Sequence, residues 1–92
     1  MREEVKDIEA RAKDEVLAQY GMLIDEYNDC FNFGEGATFV TAQNDLVFPL
    51  KLYREGDNDL FSFETESGDV EVVMLYDLGL DMLIKLAWEI DE

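Results

Sequence analysis

The sequence predicts an α+β fold with a long N-terminal helix, a three- to four-stranded antiparallel sheet and a C-terminal helix. Two patterns favour this fold. Apolar residues recur at three- and four-residue steps towards both ends of the chain, whereas they alternate with polar residues in the middle. The chain has 92 residues and 48% of them are hydrophobic, so we expect residues 1–92 to form a single small domain with its own core.

The first helix is predicted over residues 3–29. A helix of that length would be about 40 Å long, more than a small domain can cover, so it either breaks near Gly21 or protrudes. Leu17 and Ile24 add a second apolar edge, which is either part of a wide core stripe or a surface for a possible homodimer. The residues at helical spacing are Val5, Ile8, Ala12, Val16, Tyr20, Leu23 and Tyr27.

Strands are expected after a glycine-containing loop at 32–36. The second of the four strand candidates, residues 46–54, contains Pro49. Proline cannot donate a hydrogen bond to the ladder and therefore belongs on an edge strand or at a bulge. A simple meander would put this strand inside the sheet, so we expect it at an edge, with the first strand short or displaced. The four strand candidates are residues 38–42, 46–54, 60–66 and 69–76.

The C-terminal helix is predicted within residues 78–90. Asp77 is a good N-cap, although the helix could also begin after Asp81. Trp88 is expected to pack in the core together with four aliphatic residues of the same segment. These are Leu80, Leu83, Ile84 and Ala87.

The last two strand candidates predict a hairpin with a two-residue turn at Ser67-Gly68. In that register, the apolar residues Phe61, Phe63, Val70, Val72 and Met74 would share the core face. The other face would carry Glu64, Glu66, Asp69 and Glu71. Opposed like charges cost some tenths of a kcal/mol per pair, so this arrangement predicts that a binding partner relieves them.

The charge of the chain is strongly negative. There are 23 acidic and 7 basic residues, giving a net charge of −16, about twice the upper end of the roughly 2 to 8 that suffices for solubility. Residues 14–50 and 55–84 contain no basic residue at all. Such a surface is repelled by nucleic acid and by anionic lipid, and it attracts a cationic partner.

The residue types that are missing from the chain limit the reactions, metal sites and disulfides that we expect of it. There is no histidine, which removes the commonest general base and every zinc site that contains histidine, so we expect no enzymatic activity and no cofactor. Cys30 is the only cysteine, so no internal disulfide can form and a reducing cytoplasm is expected. No apolar run approaches the roughly 18 residues needed to cross a bilayer.

Three chemical alternatives have less support. Asp57-Asn58-Asp59 faintly resembles a calcium loop, but the glycine and the distal glutamate of that motif are misplaced, so a turn is the better interpretation. A carboxylate pair could act as acid and base, yet these carboxylates are numerous, alike and expected to be exposed. Cys30 has no basic neighbour to lower its pKa, so a small core residue is expected there.

The spacing of the acids suggests what they bind. Alternate residues on a strand lie about 6.6 to 6.8 Å apart, close to the separation of successive phosphates, so the carboxylates could occupy the Lys and Arg sites of a nucleic-acid-binding protein. Asp25, Glu26 and Asp29 lie near the C-terminus of the first helix, where the macrodipole disfavours negative charge. The complete set of predicted binding residues is Glu64, Glu66, Asp69, Glu71, Asp57, Asp59, Glu55, Asp25, Glu26 and Asp29.

In these features the chain resembles the small acidic inhibitors encoded by phages and mobile elements, the nucleic-acid mimics that include anti-restriction and anti-CRISPR proteins. The resemblance rests on size, on the charge of −16, on the absence of histidine and on the rows Glu64/Glu66 and Asp69/Glu71. It implies a non-enzymatic blocker of a nuclease or CRISPR effector. The same charge is compatible with an immunity protein for a basic toxin, or with an acidic chaperone or adaptor.

Overall fold

The computed structural model describes residues 2–41 and 43–91, with side chains for residues 8–41 and 43–90. Over these residues it contains two helices, five strands and a short 3-10 turn at Leu75–Asp77, so the predicted α+β class is confirmed with one strand more than expected. The elements are α1 (Arg2–Glu26), β1 (Cys30–Asn32), β2 (Phe39–Val40), β3 (Leu46–Glu55), β4 (Asn58–Thr65), β5 (Val70–Met74) and α2 (Leu80–Asp91).

The sheet is antiparallel and is built around β3. Strand β4 pairs with one side of β3 and β5 pairs with β4, while β1 and β2 pair with successive parts of the other side of β3. The expected edge position for the strand with Pro49 is therefore wrong. The ladder instead has a bulge between Pro49 and Lys51, which is where a residue without an N–H is tolerated inside a sheet.

Both helices pack on one face of the sheet, which we call the inner face. Leu52 and Phe61 are its central residues, and each is at most 1% exposed. The buried core contains Tyr20, Ile24, Phe39, Val47, Leu52, Phe61, Leu75, Leu83 and Leu86. A row of edge-on and stacked aromatic contacts extends it from Tyr27 through Phe31 and Phe33 to Phe61 and Phe63.

Helix α1 runs through Gly21 without a break. Of the two predicted alternatives, a break near Gly21 or a protruding helix, the second is correct. Residues 8–11 are all exposed, whereas the later turns reach the core. Ile24 is completely buried and Leu17 is half-buried against the same cluster. The second apolar edge of this helix is thus part of the core, and it is not available as a surface for a homodimer.

The β4–β5 hairpin differs from its predicted register by one residue. Residues 66–68 form a three-residue loop, in which the Gly68 N–H donates to the Thr65 carbonyl at 2.9 Å and the Thr65 N–H donates to the Asp69 carbonyl at 2.8 Å. Gly68 has a φ of 91°, which suits a type I turn followed by a bulge. Because strand side chains alternate, this offset moves every β5 side chain to the opposite face.

The consequence falls on β5, whose apolar residues were predicted to face the core. Val70 is 61% exposed and Val72 is 50% exposed, whereas Val73 pairs with Phe61 and packs against the core. Met74 is exposed as well. The predicted core face of the hairpin is therefore correct for β4 and wrong for β5.

Helix α2 begins at Leu80, between the two predicted starts. Its buried stripe contains Leu83 and Leu86, both completely inaccessible to solvent. The predicted core placement of Trp88 and Ile84 is wrong, because these two residues lie one turn apart on the other side of the helix and are 73% and 45% exposed.

Candidate binding surfaces

The carboxylates lie on the surface of the protein. Within residues 8–41 and 43–90, no Asp or Glu side chain is buried. In that part of the chain, Arg54 forms ion pairs with three acids. The acids of these described residues therefore all reach solvent, and they far outnumber the three that Arg54 pairs with.

The first acidic region surrounds Arg54, and we call it the Arg54 cluster. The Arg54 Nε donates to Asp59 Oδ1 at 2.8 Å, and its Nη1 donates to Asp25 and lies 3.6 Å from Asp29 Oδ1. The Nη2 donates to the Gly21 carbonyl at 3.3 Å. The hydrogen bonds to Asp59 and Asp25 raise the pKa of Arg54 above its ordinary value, so the guanidinium remains charged.

The Arg54 cluster ties the end of α1 to the turn between β3 and β4. Asn28 and Asp29 both have positive φ, and the Asp29 carbonyl accepts a hydrogen bond from the Arg54 backbone N–H at 3.0 Å. Asp25, Asp29 and Asp59 were predicted to bind a partner, but each is also held within the molecule. Sequence reasoning missed Arg54, although it is one of only two basic residues between positions 14 and 84.

Three further predicted residues, Glu26, Glu55 and Asp57, are exposed at the same end of the molecule. Asp57 lies in the tight turn after β3, where Gly56 has a φ of 63°, and Asn58 already begins β4. This geometry supports the interpretation of the segment as a turn. Among the described residues, no group of three or more Cys, Asp or Glu side chains is arranged to hold a metal ion.

The second acidic region lies at the opposite end of β4, and we call it the hairpin cleft. Asp45, Glu66 and Glu71 line this cleft, which has a volume of about 460 Å³ and also contacts Phe63. Glu66 Oε1 accepts the Leu46 N–H at 3.3 Å. Asp45 was not among the predicted residues; the antiparallel pairing of β3 and β4 brings it to the hairpin end.

The remaining two hairpin acids lie apart from the cleft acids. Asp69 accepts a hydrogen bond from the Ser67 hydroxyl at 3.2 Å, beside the turn. Glu64 pairs with Val70 on the outer side of the sheet, while Glu71 pairs with Phe63 on the inner side. The predicted face with four carboxylates in two rows is therefore wrong, and no two of these acids are directly opposed.

A third surface, the Trp88 groove, runs between α2 and β2. It has a volume of about 540 Å³ and is lined by Val40, Ile84 and Trp88, with Asp81 and Glu89 at its rim. Lys85 Nζ donates to the Val40 carbonyl at 2.9 Å. The rim of this groove is thus acidic, while its single base is engaged with the backbone.

Comparisons with family models, with curated proteins and with solved structures found no significant match to this chain. Over the described residues, no helix combines the length and the apolar character that crossing a bilayer requires. The function must therefore be inferred from the surfaces themselves.

Proposed function

We propose that this chain is a non-enzymatic acidic binding protein that mimics the phosphates of a nucleic acid. It blocks the basic groove of a nucleic-acid-binding protein, such as a CRISPR effector or a restriction nuclease. The observation that carries the proposal is the exposed charge. Every Asp and Glu side chain within residues 8–41 and 43–90 reaches solvent. Arg54 forms ion pairs with three of these acids, which leaves acids in large excess over that base.

The placement of the charge gives further support. The Arg54 cluster and the hairpin cleft lie at opposite ends of β4, which has eight residues and is therefore about 27 Å long. Phosphates along one strand of duplex DNA repeat every 3.4 Å of axis, so this distance corresponds to about eight base-pair steps. A groove that binds duplex could contact both acidic regions at once.

We assign this activity to the cytoplasm of a cell that contains the target, because Cys30 is a free thiol and suits a reducing compartment. The partner is a basic protein, and the chain itself contacts neither nucleic acid nor membrane, because both would be repelled by its charge. Binding is stoichiometric and needs no cofactor.

The test begins by immobilising the chain and passing over it a bacterial lysate treated with nuclease, followed by elution with a salt gradient. The eluted protein is then mixed with a labelled duplex oligonucleotide and increasing amounts of the chain. We expect loss of the oligonucleotide signal at an equimolar ratio. A partner that keeps its oligonucleotide while bound to the chain contradicts mimicry and favours an immunity protein or an adaptor.

A matched pair of triple variants locates the contact. Asp45→Asn, Glu66→Gln and Glu71→Gln neutralise the hairpin cleft and preserve the Glu66 acceptor. Charge-assisted hydrogen bonds contribute about 1.5 to 3 kcal/mol each, so we expect a joint loss of several kcal/mol in affinity. The control neutralises three exposed acids on α1, and it should slow association only modestly. These changes are Glu9→Gln, Asp14→Asn and Glu15→Gln.

A further inference from the structure

The side of the sheet that faces away from both helices, the outer face, is largely apolar and uncovered. Strands β3, β4 and β5 contribute three rows of directly paired residues to it. Val70, Val72 and Met74 are between 37% and 61% exposed there. The rows are Phe48, Glu64 and Val70; Lys51, Ser62 and Val72; and Tyr53, Leu60 and Met74.

The outer face could be removed from water at little cost. Its central residue, Ser62, is 3% exposed, and its hydroxyl donates to the Lys51 carbonyl at 3.4 Å. The Lys51 ammonium lies over the Tyr53 ring, 4.7 Å from its centroid. The Glu64 carboxylate forms no ion pair with any described residue. Burying it would therefore require a cation from a binding partner.

The charge of the outer face is unlike that of the rest of the surface. Its nine residues include one base, Lys51, and one acid, Glu64, so the face is neutral on a chain with a net charge of −16. A basic partner would be attracted to the acidic regions and would leave Lys51 facing like charge. A second copy of this chain, in contrast, offers its Glu64 to Lys51 and its Lys51 to Glu64.

We infer that the outer face is a homodimer interface, in which two sheets pack face to face. Lys51 lies beside Ser62 across the ladder, while Glu64 lies two residues from Ser62 along β4. The two charges are thus displaced from the centre in perpendicular directions. A two-fold axis with the strands crossing near 90°, one of the two common sheet packings, brings the Lys51 of each copy onto the Glu64 of the other.

This interface predicts an unusual salt dependence. The patch measures about 13 Å by about 10 Å between backbone positions, so the buried area is small and the dimer is weak. Elsewhere each copy repels the other, and raising the salt from about 0.1 M to about 1 M shortens the screening length from about 10 Å to about 3 Å. We therefore expect dimerisation to strengthen with salt, whereas binding to a basic partner weakens with salt.

A charge exchange tests the inference by sedimentation equilibrium over a concentration series at both salt levels. Lys51→Glu and Glu64→Lys should each weaken dimerisation by about tenfold, and the double variant should restore it. Glu64→Lys also lowers the net negative charge of the chain. If Glu64→Lys strengthened the dimer, net charge alone would control association, and the proposed pairing of Lys51 with Glu64 across the interface would be wrong.

A second pair of variants tests the apolar contact. Val72→Glu places a charge at the middle of the outer face and should abolish the dimer. Met22→Glu makes the same change at an exposed position of α1 and should leave the dimer intact. Circular dichroism and melting temperature confirm that both variants fold. A parent chain that stays monomeric at high salt, or a Val72→Glu variant that still dimerises, overturns the inference.

Discussion

Phe63 in β4 pairs directly with Glu71 in β5, and this pairing determines which side chains of the hairpin face the helices. It follows from the three-residue loop at 66–68, which shifts β5 by one residue relative to a two-residue turn. Val73 is consequently directed towards the core, while its neighbour Val72 is directed towards solvent. The apolar outer face and the separation of the hairpin acids both result from this register.

Alanine at the two adjacent valines tests the register. Val73→Ala removes apolar atoms that pack against the core, so the free energy of unfolding should fall by about 1.5 kcal/mol. Val72→Ala removes the same atoms from an exposed position and should change it by no more than about 0.5 kcal/mol. Urea denaturation of both variants is the measurement. If the larger loss came from Val72, the two-residue turn would be correct after all.

The fold class could be predicted from the sequence because periodicity reports which residues are apolar on one side of an element. It does not report the geometry of turns. Glycine at position 68 suits both a two-residue and a three-residue loop, and the difference lies in hydrogen bonds that composition does not encode. Strand β1 was missed for a related reason, since three residues are too few to show an alternating pattern.

The binding residues were predicted from charge alone, and charge does not reveal which acids have a partner within the molecule. Asp59 and Asp57 are two residues apart and look equivalent in the sequence. In the structure, Asp59 accepts a hydrogen bond from the Arg54 guanidinium at 2.8 Å, while Asp57 lies exposed in the turn. The distinction depends on the register of β3 and β4, which places Asp59 directly opposite Arg54.

Neutralising these two acids separately should therefore have different effects on stability. Asp59→Asn removes a hydrogen-bonded ion pair that joins β4 to β3, so we expect the melting temperature to fall by several degrees. Asp57→Asn removes the same charge without breaking an ion pair among the described residues, so the melting temperature should hold or rise as repulsion decreases. The effect of Asp59→Asn should shrink at high salt. Equal shifts for the two variants would show that the Arg54 cluster does not stabilise the fold.

Trp88 shows how amphipathic spacing can mislead in a short helix. Leu83, Ile84, Leu86 and Trp88 are all apolar, so the sequence supports either side of α2 as the buried one. The side with Leu83 and Leu86 is the buried one. It faces Tyr20 of α1, whose hydroxyl donates to the Leu83 carbonyl. The largest apolar residue of the helix is left in solvent, next to an acidic rim.

Substitutions at Leu86 and Trp88 should separate these two sides of α2. Leu86→Ala opens a cavity in the core and should lower the free energy of unfolding by about 2 to 5 kcal/mol. Trp88→Ala removes a larger side chain but one that is 73% exposed, so the change should stay within about 0.5 kcal/mol. Because Trp88 is the only tryptophan, acrylamide quenching of the parent chain reports on it alone, and should be nearly as efficient as for a free indole. Weak quenching together with a large loss of stability in Trp88→Ala would show that Trp88 lies in the core, as the sequence pattern predicts.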